Sequence, residues 1–324
     1  MAVDFSAIDL KAKLDLPKTG MVALLPPPCL RDRTRAMEGL AKSLGIKVAG
    51  SADVPHGFAV GGPAGQVEVF AASGAIRGRN TDQLSRFADE RRSWAEVVRT
   101  KTTDGVVHGL GPKTSRLLQA KAQRLLEGSG LTEKPSQVGV VLGQWARLDE
   151  KGKELESGAG RATVQFAYAV EGIPLIGAGA KTNIHFDPDD KGADGVIARF
   201  FHVHRGFEAS KDLRLLEVER VFEPLLTQTW SGIESTKGKT RITVTAAEFG
   251  LLALPADVVQ RFAAPALRVE GTVSGLAARD GKEVTIRFGQ YLPLVEPKTL
   301  GAAGLGSAGP IHPGQVVVSR DKGE

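Results

Sequence analysis

The clearest alternation of apolar and polar positions runs from Arg161 to Phe207, where three extended runs are divided by two turn-rich connections. Val164, Phe166, Tyr168 and Val170 share one face, and Thr163, Gln165, Ala167 and Ala169 share the other. A period of two held over eight residues predicts a strand in a sheet with one buried face. Ile184 and Phe186 carry that face onto the next run. Asp187–Gly195 then turns the chain, and Val196–Val203 returns it.

Elsewhere the period changes. Residues 1–30 read as an irregular arm ending in the stiff Pro26–Pro28 run. Met37, Leu40, Ala41 and Leu44 place a helix over Arg31–Leu44, and short extended pieces follow at Gly57–Val60, Gln66–Ala71 and Ala75–Arg79. From Thr81, apolar positions three or four apart (Leu84, Phe87, Ala88, Trp94, Val98) predict a second helix capped by Thr81 or Asp82. A third starts at Pro112, a good first-turn residue, with Leu118, Ala122, Leu125 and Leu126 on its face. Trp94 is expected to anchor these helices to the sheet. Val138–Arg147 alternates as a strand, DEKGKELESGAG after it reads as a charged loop, and Glu219–Leu226 as a short connector. Arg241–Leu254, Leu267–Ser274 and Glu283–Pro293 form a strand-rich unit, and the Gly/Pro-rich tail from Lys298 is expected to be flexible or wrapping. The division that follows is an arm and helix over 1–50, α+β modules over 51–105 and 106–222, a β-rich unit over 223–297 and a tail over 298–324.

Composition narrows the function classes. With 324 residues, 42% hydrophobic and 24% charged, the chain is ordinary globular protein, long enough for two or three compact units. A net charge of +5 spread over this length lacks the clustered basic face that nucleic acid requires, so nucleic acid is not an expected partner. The densest basic spots, Arg31–Arg35 and Glu90–Lys101, sit on predicted helices as solvated faces. Cys29 is the single cysteine, which excludes an intramolecular disulfide and a cysteine metal cluster. The first residues carry charges every few positions and no apolar signal-peptide core, and no run approaches a membrane span, so a cytoplasmic location is expected.

The sharpest candidate chemistry is His202-Val-His204 with Glu208 beyond it. On a strand the two histidines share a face, and H-x-H-x-x-x-E resembles the first metal motif of the cupin family. His185 lies on the neighbouring strand. If Phe186 pairs with Val196, however, His185 faces Ile197 and His202 faces Ala180, about 16 Å apart along the ladder. Ligands of one zinc each lie about 2 Å from the metal, so a three-histidine site is not expected. His312, in the tail, does not supply the second cupin motif. Asp187–Gly195 lacks the closing Glu of a calcium loop, and Pro112 interrupts the phosphate-loop pattern in Gly109–Thr114. No nucleophile elbow or zinc-protease helix motif is present.

A broader resemblance rests on the helix Pro112–Glu127, the strand Gln165–Val170, the turn Glu171-Gly172-Ile173-Pro174 with Gly177, and the closing strand from Gly195. These resemble the cystatin-like modules of the PepSY family and the fungalysin/thermolysin propeptide family. Ala253–Pro255, Pro265–Gly271 and Tyr291–Pro293 are similar to the β-rich unit that trails such modules, and to the extracytoplasmic regulators of a cell-wall sensor kinase. The resemblance implies an α+β fold, helices packed on curved antiparallel sheets, and a non-catalytic protein without cofactor that engages a polypeptide partner or self-assembles. An exposed sheet edge, or the turn carrying Gly172, Ile173, Pro174 and Gly177, would make the contacts by strand addition. The competing reading is a metal-dependent enzyme using His202, His204 and Glu208.

Overall fold

The computed structural model describes residues 7–14, 16–90, 93–102, 105–131, 133–207, 209–227, 234–235, 240–277, 283–303 and 305. In chain order, β1 (Ile8–Leu10) and β2 (Thr19–Leu24) precede α1 (Leu30–Ser43). The strands β3 (Gly50–Val54), β4 (Gly57–Gly62), β5 (Gly65–Phe70) and β6 (Ile76–Asn80) run into α2 (Thr81–Glu90). The hairpin β7 (Val97–Thr102)–β8 (Gly105–Leu110) leads to α3 (Pro112–Gly128), followed by β9 (Gln137–Leu148) and β10 (Glu154–Ala167). Next come β11 (Ala169–Val170), β12 (Ile173–Ile176), β13 (Lys181–Pro188), β14 (Gly195–Val203) and β15 (Ala209–Arg214). After α4 (Val218–Thr227), the strands β16 (Glu234–Ser235), β17 (Arg241–Leu252), β18 (Phe262–Ala263), β19 (Pro265–Ala277) and β20 (Glu283–Pro293) close with α5 (Pro297–Ala302).

The expected α+β fold, with helices on curved antiparallel sheets in cystatin-like modules, is overturned. The chain is mostly β, 49% strand against 20% helix. The physical reason lies in one pairing. β6 hydrogen-bonds to β14, setting Phe200 opposite Gly78 and His202 opposite Ile76. The early and middle strands therefore merge into one eight-stranded sheet, β3-β4-β5-β6-β14-β13-β10-β9. Segments read as arm, loop or connector also prove regular. The arm supplies β2, the charged loop begins β10 at Glu154, and the connector is α4. The tail begins as α5, with Leu300 buried.

The eight-stranded sheet carries the first core. Met37, Leu40 and Leu44 of α1 and Leu118, Ala122 and Leu126 of α3 meet Val67, Ile76, Val164, Phe166, Ile184 and Phe200 there. Trp94 is an anchor in this core as expected, 4% exposed, with its Nε1–H donating to Gly160 O at 3.0 Å. A second core gathers Phe222 and Leu225 of α4 with Ile242, Val244, Val269, Val273, Ile286 and Phe288. Its sheet orders β11-β12-β17-β19-β16, with β1 added to β17 in parallel and β20 added to β19. β2 lies between β15 and β18 in a third sheet. Among the described residues no helix is long and apolar enough to cross a membrane.

The chain passes from the first sheet to the second through the hairpin β11–β12. Glu171 (φ 50°) and Gly172 (φ 83°) both take left-handed backbone at its tip, as a two-residue hairpin turn requires. β12 then pairs in parallel with β17, Leu175 opposite Leu251 and Ile176 opposite Leu252.

Candidate functional site

β14 sets the site. Ala198, Phe200 and His202 are buried at 0–1% exposure, Phe200 within the first core, while Arg199 is exposed. Phe186 pairs with Ile197, one residue beyond the expected partner, and a bulge beside it moves His185 opposite Arg199. His202 therefore faces Thr182, not Ala180. His185 lies three places along from that pair and on the opposite face, where Thr163 Oγ1 is 2.9 Å from its Nδ1. The three-histidine site fails on sidedness as well as on distance.

Thr182 and His202 are both fully buried, so each needs a partner. Tyr168 Oη is 2.7 Å from Thr182 Oγ1, which is 2.7 Å from His202 Nδ1. In one arrangement of protons Tyr168 donates to Thr182 and Thr182 donates to Nδ1 of a neutral His202, whose Nε2 lies 3.6 Å from Glu133 Oε1. Burial pushes the His202 imidazole down, which keeps it neutral, and pushes the Tyr168 hydroxyl up to about 12.

Glu133 gathers the remaining groups. Its Oε1 accepts from Arg33 Nη2 at 3.0 Å and lies 3.8 Å from His204 Nδ1. Burial raises this carboxyl, but contact with His202 and the charge of Arg33 outweigh it and hold the group well below the usual carboxylate range. His204 packs on Tyr168 with ring centroids 4.7 Å apart, and burial lowers its pKa to about 4. His202 and His204 thus converge on one carboxylate as their spacing suggested, yet the cation beside that carboxylate is Arg33. Its Nη1 stands 3.5 Å from His202 Nε2, where a metal would have to sit. Among the described residues no group of three or more His, Cys, Asp or Glu could hold a metal ion. Glu208 lies outside the described residues.

Arg33, Glu133 and His204 of this cluster line a cleft of about 910 Å³. Leu25–Cys29, Arg33 and Ala36 bound it on one side, and Ala71–Ser73, Gly130, Leu131 and Glu133 on another. His204–Gly206 and residues Val259–Arg261 complete it. The loop after β17 that closes the cleft is pinned by side chains. Ser73 Oγ donates to Ala256 O at 2.7 Å, and Gln260 bridges Leu254 N and Leu252 O. Arg205, 8% exposed, donates through Nη1 to Gly179 O and Leu254 O and through Nη2 to Pro255 O and Val258 O. Burial alone lowers its pKa to about 10, so it stays cationic at neutral pH.

Among the described residues two buried side-chain atoms of lining residues find no hydrogen-bond partner, the donor Arg205 Nε and the acceptor Glu133 Oε2. Cys29, exposed, stands at the start of α1, whose first turn has no side-chain cap.

The four turn residues proposed for strand addition are placed differently. Gly172 is at the hairpin tip, with open space where a Cβ would be, and Pro174 is exposed. Ile173 is half-buried. Gly177 (φ 105°) runs against the backbone of the second sheet, where a Cβ would meet Ala253 O at 2.5 Å. Sequence reasoning missed Arg33, Glu133 and Arg205. Arg33 was read as solvated helix face, and nothing in the pattern around Glu133 or Arg205 distinguishes them from surface charge.

No family model and no curated protein matches the chain. Among solved structures it is similar to an uncharacterised protein from Eubacterium rectale ATCC 33656, with a TM-score of 0.50 and 10% sequence identity. The match covers 89% of this chain and 87% of that one. At this identity the likeness shows a shared fold alone.

Proposed function

We propose that the chain is a non-catalytic binding protein that takes a segment of a polypeptide partner into the cleft. The observation that carries this reading is the cleft of about 910 Å³, where a small number of polar side chains, those of Arg33, His204, Gln260 and Arg261, can meet the carbonyl and amide groups of an extended peptide. The remaining lining combines Leu25, the Pro26–Pro28 run, Ala36 and Leu131 with few polar groups, as ligand clefts do. Arg33, Ser73, Glu133, Arg205 and Gln260 are held by one another or by backbone groups, an arrangement suited to recognition.

Selection from a random peptide display library on the immobilised chain tests this. Enrichment of related sequences, with binding abolished when Ala72→Trp fills the half-buried wall, supports the reading. A library that yields no enrichment, or enrichment indifferent to Ala72→Trp, overturns it.

A further inference from the structure

We infer that the cleft recognises a carboxylate on an apolar body, which in a polypeptide partner is the C-terminal carboxylate. The inference rests on the cleft being the binding site proposed above and adds the charge of its ligand. Three guanidinium groups, those of Arg33, Arg205 and Arg261, line the cleft against the single carboxylate of Glu133. Arg33 neutralises Glu133 at 3.0 Å. Among the described residues Arg205 and Arg261 form no ion pair.

Arg205 is the sharper case. A buried cation is ordinarily paired with a carboxylate, because carbonyl dipoles replace only part of its lost hydration. Here four N–H···O=C bonds hold the planar head, and among the described residues the buried Nε–H has no acceptor. Arg261 is exposed on the same wall, and the uncapped start of α1 opens at Cys29, so both add to a positive field. The lining therefore carries more positive than negative charge, which attracts an anionic group. The prolines, Leu25, Ala36 and Leu131 form the surface against which an apolar body would pack.

The test is isothermal titration calorimetry of the full chain with three probes. They are an N-acetylated alanine–leucine peptide with a free C-terminus, the same peptide as its C-terminal amide, and octanoate. The acid peptide is expected to bind roughly tenfold or more tightly than the amide, as a charge-assisted hydrogen bond would give. That advantage should shrink with added salt and collapse in Arg261→Glu, an exposed position where the variant keeps its fold. Arg205→Gln should remove it as well, if that variant folds. Octanoate binding without either peptide keeps the carboxylate inference and overturns the polypeptide reading. Equal binding of acid and amide overturns the carboxylate inference and leaves the polypeptide reading standing. Binding of none of the three overturns the inference.

Discussion

Thr182 Oγ1 lies 2.7 Å from His202 Nδ1 on the adjacent strand, and the same oxygen lies 2.7 Å from the Tyr168 hydroxyl. One hydroxyl therefore satisfies two buried polar side chains. Thr182→Val keeps the shape and removes that hydroxyl, leaving the buried Tyr168 O–H and His202 Nδ1 without that partner. The cost is expected to be ~2–4 kcal/mol, each unmet group contributing about 1–3 kcal/mol. Urea denaturation should show a lower midpoint with an unchanged m-value. Thr182→Ser, which keeps the hydroxyl, should recover most of the loss.

Stability should fall as pH drops from about 6.5 toward 4. Burial lowers His204 and His185 to about 4 in the folded chain, from the ordinary 6.5, and pushes His202 in the same direction. Between those values the unfolded chain binds protons that the folded chain does not, so the free energy of unfolding rises with pH across the window. Below the ordinary carboxylate value of 4.5, the depressed Glu133 and Glu68 add a further loss as they protonate. Urea midpoints from pH 7 to pH 4 would check this. His204→Gln should flatten the slope, and a pH-independent midpoint would contradict the burial of these rings.

The first sheet was largely legible because its signal is local. Val164, Phe166, Ile184 and Phe200 alternate, and alternation reports a buried face wherever the sheet ends up. The merger of sheets was not legible, since no feature of Ile76–Asn80 names β14 as its neighbour. Register failed for a similar reason. The hairpin pairs Phe186 with Ile197, one residue beyond Val196, and the bulge beside it adds one more, so the two together moved His202 onto Thr182. The site was half legible. The H-x-H spacing brought His202 and His204 together on a real polar cluster, but Arg33 and Glu133 come from positions 100 residues apart in the chain. Long-range ion pairs leave no periodic trace.

Arg33 and Glu133 should be energetically coupled. Glu133→Ala leaves a largely buried guanidinium beside His202 without its counter-charge, whereas the double variant Arg33→Met/Glu133→Ala removes both charges. A double-mutant cycle is expected to give a coupling of about 1–3 kcal/mol, favouring the pair. A coupling near zero would mean that water solvates Arg33 in place of Glu133.

Gly179 lies against the residues that follow β17, its N–H donating to Ala253 O at 3.1 Å. At Gly179 a Cβ would lie 1.7 Å from Leu254 O, and at Gly172 it would meet nothing within 4 Å. Gly172→Ala therefore costs only the left-handed backbone strain at φ 83°, about 1–2 kcal/mol. Gly179→Ala must instead push the residues after β17 away from the segment that leads into β13, and several kcal/mol are expected. The damage has a direction. Leu254 O and Gly179 O are both acceptors of Arg205 Nη1, so separating them loosens the clamp that holds the loop over the cleft. Gly179→Ala, examined where it remains folded, should lose peptide binding along with stability, while Gly172→Ala should lose a little stability and no binding. If both variants bind as the natural chain does, the cleft is not the site.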